Sequence, residues 1–343
     1  MHQTKTYSYY FIVLFIALVI LMLVNISFGS VTIPFKNTLA VLFTNETTNQ
    51  SWHYIIWDYR VPKAITAVLV GSGLSLCGLL MQTLFRNPLA GPFVLGISSG
   101  ASLGAAILIM GASAFSSVFS FSIFNDTTLA IASSLGSFLV LLAVLSVALK
   151  IKDTMSLLII GLMFGSITGA IVSVLSYFTS SENLKQFIYW SLGSLGDLSW
   201  LQLLLLGSII SIGILLSVLS IKPLNALLLG ENYAQSLGIA LKKSRLLIII
   251  ATGLLAGSIT AFAGPIAFIG LAVPHLTRQI FNTTEHKILV PAVLLYGAII
   301  MLVCDSIAQL PGSASVLPIN AITSIVGAPV VIWLLVRKRK MVF

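Results

Sequence analysis

A short polar stretch between two long apolar runs carries the most informative residue types in the chain. Residues 82–104 read QTLFRNPLAGPFVLGISSGASLG. Arg86 and Asn87 are poorly tolerated by lipid, Pro88 and Pro92 interrupt helices, and the Gly and Ser residues that follow let other backbones approach closely. This combination is more typical of a functional segment than of a plain connector between two helices.

Two interpretations of this corner are open. In the first, Arg86, Asn87 and Pro88 only end a helix at the membrane surface, and the Arg86 side chain reaches the headgroups. In the second, they tie the second apolar segment to neighbouring helix ends near an inner gate. Gln82, one helical turn earlier, faces either the transport path or a partner helix.

Residues for catalysis or metal binding do not form a recognisable set. No segment matches G-x-x-x-x-G-K-[ST], so any ATP hydrolysis requires another subunit. His275 has no second ligand at helical spacing, which favours a structural role. Cys77 and Cys304 lie in apolar segments and predict no disulfide. We therefore expect no catalytic residue, no metal site and no cofactor in this chain.

Two further features allow alternatives. Asp305 lies near the end of the ninth apolar segment, and an intramembrane carboxylate is a functional hypothesis by default, although it is also close enough to the surface to be hydrated. Small residues of the fifth segment share one helical face, which suits either close helix packing or the lining of a path. They are Gly161, Gly165, Ser166, Gly169 and Ser173; of these, Gly165 and Ser166 join Gln82, Arg86, Asn87 and Pro88 as gate or path candidates.

The composition indicates an all-α, polytopic membrane protein. Hydrophobic residues make up 58% of the 343 residues and charged residues only 8%, where a soluble domain carries about 25% charge. Apolar blocks near twenty residues long are sufficient to cross a hydrocarbon core, whereas a barrel would alternate apolar and polar residues. The sequence predicts ten such segments: 8–28, 61–84, 93–111, 128–149, 154–176, 198–220, 244–263, 266–281, 288–308 and 318–336.

The net charge of +9 is distributed in a way that explains it without a nucleic-acid partner. If the N-terminus is cytosolic and the chain crosses ten times, most Lys and Arg residues lie on the cytosolic side, as the positive-inside rule requires. Only Lys36, Arg60, Lys63 and Lys185 lie outside. Both termini are then cytosolic, and lipid surrounds the bundle. The first segment is longer than a typical signal-peptide core, so we expect it to be retained.

Residues 1–343 are expected to form a single membrane domain with two polar connections of interest. Residues 182–195 predict an outer interfacial helix, with an ordinary amphipathic connector as the alternative. Residues 223–240 predict a cytosolic helical pair, in which Glu231 favours a helix N-terminus and Leu237-Gly238 a helix end. That pair either lies on the lipid surface or docks into a soluble partner.

An internal repeat is indicated by two short matching segments. Ala90-Gly91-Pro92 lies between the second and third apolar segments, and Ala263-Gly264-Pro265 between the seventh and eighth. Because five segments separate the two, they would face opposite sides of the membrane, as inverted repeats in transporters do.

Several motifs, in this order over about residues 55–338, resemble the FecCD family, the permease subunits of bacterial ABC importers for iron-siderophore complexes, haem and cobalamin. The matching stretches are Arg60-Val61-Pro62-Lys63, Gln82 with Arg86-Asn87-Pro88-Leu89-Ala90 and Pro92, Leu95-Gly96-Ile97-Ser98-Ser99-Gly100-Ala101, Trp190 with Gly193-Ser194-Leu195, Gly230-Glu231 with Ala234 and Leu237-Gly238, Ala263-Gly264-Pro265-Ile266 with Phe268, Gly270-Leu271 and Pro274-His275, and Gly327-Ala328-Pro329 with Trp333-Leu334-Leu335.

The resemblance implies ten helices per subunit, of the type II importer architecture, and a second permease subunit, identical or related, around a central path. It further implies two ATPase subunits, which use ATP and Mg, on the cytosolic face, and a soluble or lipoprotein binding protein on the outer face of the bacterial cytoplasmic (inner) membrane. The segment that matches the family's ATPase-coupling loop contains Gly230, Glu231, Ala234, Leu237 and Gly238. Arg60 and Lys63 match positions where the family docks its binding protein.

Four positions depart from the family pattern. Lys63 stands where a second Arg is usual and lacks the bidentate fork of arginine. Ala267 and Asn320 stand where Gly is usual, and Asn320 is expected to preserve a left-handed turn after Pro318. Gln309 stands where Arg is common, so we assign it no docking role.

The function predicted from these features is the ATP-driven import of a bulky iron chelate, haem or cobalamin. The alternative is a secondary transporter, which usually has acidic residues or broken helices that bind a coupling ion. A membrane enzyme would need clustered His, Asp or Glu side chains at one depth. The sequence does not distinguish among the candidate substrates, or a homodimer from a heterodimer.

Overall fold

The computed structural model describes residues 2–44, 49–111, 126–151, 154–196, 198–309 and 315–336, and within them the chain is a bundle of helices. Each predicted apolar segment contains one long helix. These are α1 (His2–Ser27), α4 (Val61–Leu84), α5 (Ile97–Ile109), α6 (Asp126–Ala148), α7 (Thr154–Phe178), α9 (Trp200–Leu219), α12 (Leu241–Ala263), α13 (Ile269–Phe281), α14 (His286–Ala308) and α15 (Ile319–Val336).

Short helices occupy the connections between them. They are α2 (Phe35–Phe43), α3 (Gln50–Tyr54), α8 (Ser181–Ser191), α10 (Ile221–Leu228) and α11 (Glu231–Ser236), with a π-helical turn at Ile55–Arg60 and a 3-10 turn at Pro92–Leu95. The predicted interfacial helix at 182–195 is α8, and the predicted helical pair at 223–240 is α10 and α11. Some of the Lys and Arg residues assigned to the cytosolic side, Lys152 and those at 337–340, lie outside the described residues.

Seven helices of the described residues are long and apolar enough to cross a membrane. The helices in the other three predicted segments are too short for that criterion. Helices α5 and α13 have 13 residues each, and the apolar part of α15 covers Ile319–Trp333. A helix of that length spans about 20 Å, less than a hydrocarbon core of about 30 Å. The count of ten crossings therefore stays a prediction, although a helix is present at each predicted position.

The bundle has two ends, which we name the loop end and the α8 end. The loop end is where α4 finishes, α14 begins and α10 and α11 lie; Asn225 of α10 contacts His286, the first residue of α14. At the α8 end, Leu192 contacts Asn320 near the start of α15, and Ser194 contacts Ala263 at the end of α12. The sites that the sequence assigned to the cytosolic side, Arg86 and the loop, thus share one end.

Three helices form the centre of the bundle. The most apolar windows of α4, α12 and α14 are 78%, 72% and 61% buried, whereas those of α1 and α7 are 17% buried. Glycines let α4 approach two neighbours closely: an added Cβ at Gly71 would collide with the Gly297 backbone of α14, and one at Gly78 with the Gly270 backbone of α13. Backbone contacts of this kind are how membrane helices pack without a hydrophobic driving force.

Two sets of helix pairings match the predicted inverted repeat, which stays a prediction because α12 also packs on α9. Helix α4 packs along α14 and α13, and its counterpart α12 packs along α6 and α5. Each half also contains a non-helical segment that leads into a short helix. The segment before α5 packs on α7 at Gly161, next to Val94 and Leu95, and the segment before α13 packs on α15 at Gly327, next to Phe268. Backbone that is not α-helical is tolerated within a membrane where protein encloses it, and neighbouring helices pack against both of these segments.

Candidate functional site

The corner after α4 is a tight polar turn. Arg86 adopts a left-handed backbone conformation with φ of +47°, uncommon for a residue with a side chain. The turn is closed by Asn87, whose N–H donates to the Gln82 carbonyl at 3.1 Å and whose Oδ1 accepts the Leu89 N–H at 2.9 Å. Such Asx turns are a common way to reverse a chain.

Gln82 faces a partner helix rather than an open path. Its Nε2 donates to the Leu271 carbonyl at 3.1 Å, and its Oε1 accepts a hydrogen bond from Arg278 Nη1 at 3.1 Å. Both partners lie on α13, and Gln82 is fully buried. Of the two alternatives for this residue, the structure selects the helix contact, which joins the last turns of α4 to α13.

Arg86 is brought next to the loop between α9 and α12. It lines an open cleft together with Leu229, Gly230, Glu231, Asn232, Tyr233 and Ser236. Gly230 has φ of +104°, and a Cβ there would lie 3.6 Å from Arg86 Nη1. The corner and the predicted coupling loop therefore form one surface, which we name the loop cleft. Arg86 is exposed in this cleft, so its side chain is accessible both to the membrane surface and to a partner, and both interpretations of the corner stay open.

The loop itself is folded against the bundle and displays apolar side chains outward. Glu231, in the first turn of α11, forms an ion pair with Arg245 of α12. Ala234 is buried, and Gly238, with φ of +77°, follows α11 as predicted. Leu229, Tyr233 and Leu237 are exposed. These exposed side chains, on an otherwise polar connection, suit contact with another protein or with lipid.

A buried polar chain links the loop to the bundle, and the sequence analysis did not predict it. Asn225 Oδ1 accepts hydrogen bonds from the backbone N–H of His286 at 3.0 Å and from its ring Nδ1 at 2.6 Å. The other ring nitrogen, Nε2, lies 2.9 Å from Thr83 Oγ1 on α4. No sequence pattern indicates this set, because its three members belong to helices that are far apart along the chain.

At the α8 end, Arg60 binds its own chain. Its Nη1 donates to the carbonyls of Ile26 and Ser27 at 3.0 and 2.8 Å, and its Nη2 donates to the Val31 carbonyl. The residue is buried. Arg60 therefore holds the segment after α1 against the start of α4. The docking role implied by the family resemblance stays a prediction, since the guanidinium binds three backbone carbonyls of its own chain.

Lys63 also has an internal partner. Its Nζ lies 3.1 Å from Asp305 Oδ1, and Asp305 Oδ2 accepts hydrogen bonds from Asn25 Nδ2 at 2.9 Å and from Gln309 Nε2 at 3.0 Å. Asp305 is 2% exposed. Asp305 is therefore not an exposed surface carboxylate: α1, α4 and α14 surround it and a lysine and two amides bind it, although it also lines a cavity at the α8 end.

Two departures from the family pattern contact each other. Asn320 lies in the first turn of α15 and does not have a positive φ. The prediction of a left-handed turn at this residue is therefore wrong. Its Oδ1 instead accepts the Ala267 N–H at 3.1 Å. The asparagine side chain thus satisfies a backbone donor in the non-helical segment before α13.

The small residues of α7 divide into two groups. Gly161 and Gly165 face their own chain, where Gly161 contacts Val94 and Leu95 and Gly165 contacts Ser99. Ser166, Gly169 and Ser173 are exposed. Helix packing therefore explains the first group, and the predicted role of Ser166 in the path still requires a test. Cys77 and Cys304 are free, buried thiols.

Comparison with known proteins agrees with this fold. The model of the FecCD transport family matches residues 17–337. The chain is 35% identical over 334 residues to the hemin transport system permease protein HmuU of Yersinia pestis, covering 95% of each chain. It is 38% identical over 285 residues to the vitamin B12 import system permease protein BtuC of Klebsiella pneumoniae, covering 83% of each.

A solved structure described as "An inward-facing conformation of a putative metal-chelate type ABC transporter" superposes with a TM-score of 0.80 at 29% identity, covering 97% of this chain and all of that one. The family match covers most of the chain, and these relatives are transport permeases. The chain therefore belongs to the FecCD transport family and is a membrane permease of the ABC importer type, not an enzyme.

Proposed function

We propose that this permease imports a bulky metal chelate, an iron-siderophore complex, haem or cobalamin, by a mechanism driven by ATP. The proposal on substrate class is supported by the relatives, one of which is a hemin permease and another a vitamin B12 permease. Within the class, the described residues give no basis for choosing one substrate, since large chelates are held by shape and dispersed polar groups.

The observation that carries the mechanism is the loop cleft. It joins Arg86, at the end of a central helix, to a loop with exposed Leu229, Tyr233 and Leu237. An ATPase subunit that inserts a helix here would contact both the loop and the corner. Two such ATPases, one per permease, use ATP and Mg; the permease needs no cofactor of its own.

The proposed arrangement places the loop end in the cytosol and the α8 end outside. A second permease subunit, a copy of this chain or a related one, completes the path, and α7 is suited to border it because Ser166 and Ser173 interrupt its exposed apolar face. A soluble or lipoprotein binding protein delivers substrate to the α8 end. The protein resides in the bacterial cytoplasmic membrane.

Reconstitution tests the mechanism. The permease is co-expressed with the ATPase and the binding protein encoded beside it, purified and placed in liposomes. We expect uptake of labelled ferric siderophore, haem or cobalamin to require the binding protein outside the liposomes and ATP inside them. Permease alone should show no ATP hydrolysis. Uptake by permease alone under an ion gradient would contradict the proposal and support a secondary transporter.

The coupling loop is tested within the same system. Replacing Tyr233 and Leu237 with Ser removes the exposed apolar contacts, so we expect the ATPase to dissociate during purification. Leu201, exposed at the other end of the bundle on α9, serves as the control when replaced with Ser. Retention of the ATPase by the loop variant would show that it docks elsewhere.

A further inference from the structure

The polar chain Asn225–His286–Thr83 joins three helices by hydrogen bonds between side chains. Its members belong to α10, to the start of α14 and to the last turn of α4. His286 and Thr83 are fully buried, and Asn225 is half-buried. Buried polar side chains are stable only when their hydrogen bonds are complete, so a chain of them fixes the relative positions of its helices.

The hydrogen bonds determine the orientation of each group. Asn225 Oδ1 accepts the backbone N–H of His286 at 3.0 Å, so the atom facing His286 is the amide oxygen. Ring Nδ1, 2.6 Å from the same oxygen, must then donate. With its proton on Nδ1, a neutral imidazole accepts at Nε2, which lies 2.9 Å from Thr83 Oγ1. Thr83 Oγ1 also lies 2.9 Å from the Leu79 carbonyl oxygen, and its single proton serves one of these two acceptors at a time.

Asn225 also caps α14 from outside that helix. Glu285, at the N-cap position, makes no side-chain capping hydrogen bond. A helix start leaves unsatisfied N–H groups, and Asn225 Oδ1 accepts the one belonging to His286. The beginning of α14 is consequently fixed to α10, and through His286 to α4.

Helix α10 also contacts the bundle through apolar side chains. Leu224 and Leu227 are buried in the main core, and hydrophobic contact of this kind has no preferred direction. The hydrogen-bonded chain is directional. A displacement of α10 must therefore either carry the end of α4 and the start of α14 with it or break these bonds.

We propose that Asn225 and His286 are positioning residues that transmit movement of the coupling loop to α4 and α14. The proposal rests on the proposed function, in which an ATPase moves that loop. The end of α4 also carries Gln82, bonded to Arg278 of α13, and the Arg86 corner. Movement passed to α4 thus reaches the helices around the gate.

Matched variants in the reconstituted complex test this role. Asn225→Ala removes the acceptor, whereas Asn225→Asp retains an acceptor for both bonds and suits a helix N-terminus. His286→Leu removes both ring contacts, whereas His286→Gln retains a donor and an acceptor. The measured quantity is the amount of substrate transported per ATP hydrolysed, together with the amount of ATPase that co-purifies.

We expect Asn225→Ala and His286→Leu to keep the ATPase bound and hydrolysing ATP, but to transport about tenfold less per ATP, within the range of coupling energies between protein sites. Asn225→Asp and His286→Gln should remain near the wild-type ratio. Equal ratios for Ala and Asp at 225, or an unchanged ratio in His286→Leu, would overturn the proposal.

A folding defect is separated by a milder variant. Thr83→Val keeps the shape of the side chain and removes only the hydroxyl, so it decides the question if Asn225→Ala fails to assemble. A fall in its transport ratio supports transmission, and an unchanged ratio overturns it. Failure of the wild-type permease to bind an ATPase at all would instead reject the proposed function.

Discussion

Two charged side chains at the α8 end are surrounded by groups that form hydrogen bonds or an ion pair with them. Arg60 has three backbone carbonyls, and Asp305 has a lysine and two amides. An ion in a low-dielectric interior is costly to leave unpaired, so each partner matters more than it would at a surface. At the residue scale, these contacts hold the ends of α1, α4 and α14 together at the α8 end.

The Lys63–Asp305 pair gives a prediction about stability. Asp305→Asn keeps an acceptor for Asn25 and Gln309 but leaves the Lys63 cation without its counter-charge, so we expect a loss of about 3 kcal/mol. Thermal unfolding of the detergent-solubilised permease measures it. The double variant Lys63→Met with Asp305→Asn removes the stranded cation and should recover most of the loss; a double variant as unstable as the single one would contradict this account.

Arg60 gives a prediction that separates an internal role from docking. Arg60→Lys keeps the positive charge but loses the planar fork that reaches three carbonyls. If the role is internal, as the contacts indicate, Arg60→Lys and Arg60→Gln should both lower the unfolding temperature, and by similar amounts. If docking dominates, only Arg60→Gln should weaken retention of the permease on immobilised binding protein, with unfolding unchanged in both variants.

At the scale of elements, helices that touch through glycine backbones are limited in what they can accept. Gly78 of α4 lies against Gly270 of α13, and a Cβ there would collide with the Gly270 carbonyl. We expect Gly78→Ala to force the helices apart and to cost more than about 3 kcal/mol, since backbone rather than a side chain must move.

The control for that prediction lies on α7. An added Cβ at Gly169 meets no atom within 4 Å, so Gly169→Ala should stabilise its helix by about 0.5–1 kcal/mol. Thermal unfolding and size-exclusion profiles of the two variants in detergent provide the comparison. A Gly78→Ala protein as stable as wild type would show that α4 and α13 are further apart than the structure places them.

Sequence patterns predict the elements of this protein better than their contacts. The ten apolar blocks, the helix at 182–195 and the helical pair at 223–240 each correspond to helices, because hydrophobic length and glycine punctuation act locally. Helices α5 and α13 are shorter than the apolar segments that predicted them, because residues outside the α-helix occupy part of each segment. Helix length alone therefore counts seven spans where hydropathy predicts ten.

The contacts of the site could be predicted only in part. Arg86 and the loop were recognised separately, and their proximity at the cleft required the fold. His286 could not be linked to its partners from the sequence, because Asn225 and Thr83 are 61 and 203 positions away. Asp305 looked hydrated because sequence places it near a helix end without revealing that α1 and α4 cover it.

For the whole molecule, the orientation in the membrane decides how the site can work. The cleft and the corner share the loop end, and Arg60, Lys63 and α8 share the opposite end. The positive-inside rule predicts that the loop end is cytosolic, an orientation that would give the ATPases access to the cleft. The reverse orientation would expose the cleft to the outside and leave the ATPases no loop to move.

Cysteine labelling tests this orientation without a background signal. The native Cys77 and Cys304 are fully buried, so an impermeant maleimide should not react with the unmodified permease. Ser236→Cys in the loop and Gln186→Cys on α8 place exposed thiols at the two ends. In right-side-out membrane vesicles we expect labelling of Gln186→Cys alone, and in inverted vesicles labelling of Ser236→Cys alone. The opposite pattern would place the loop cleft outside the cell and contradict both the ATP-driven mechanism and the transmission of movement through Asn225 and His286.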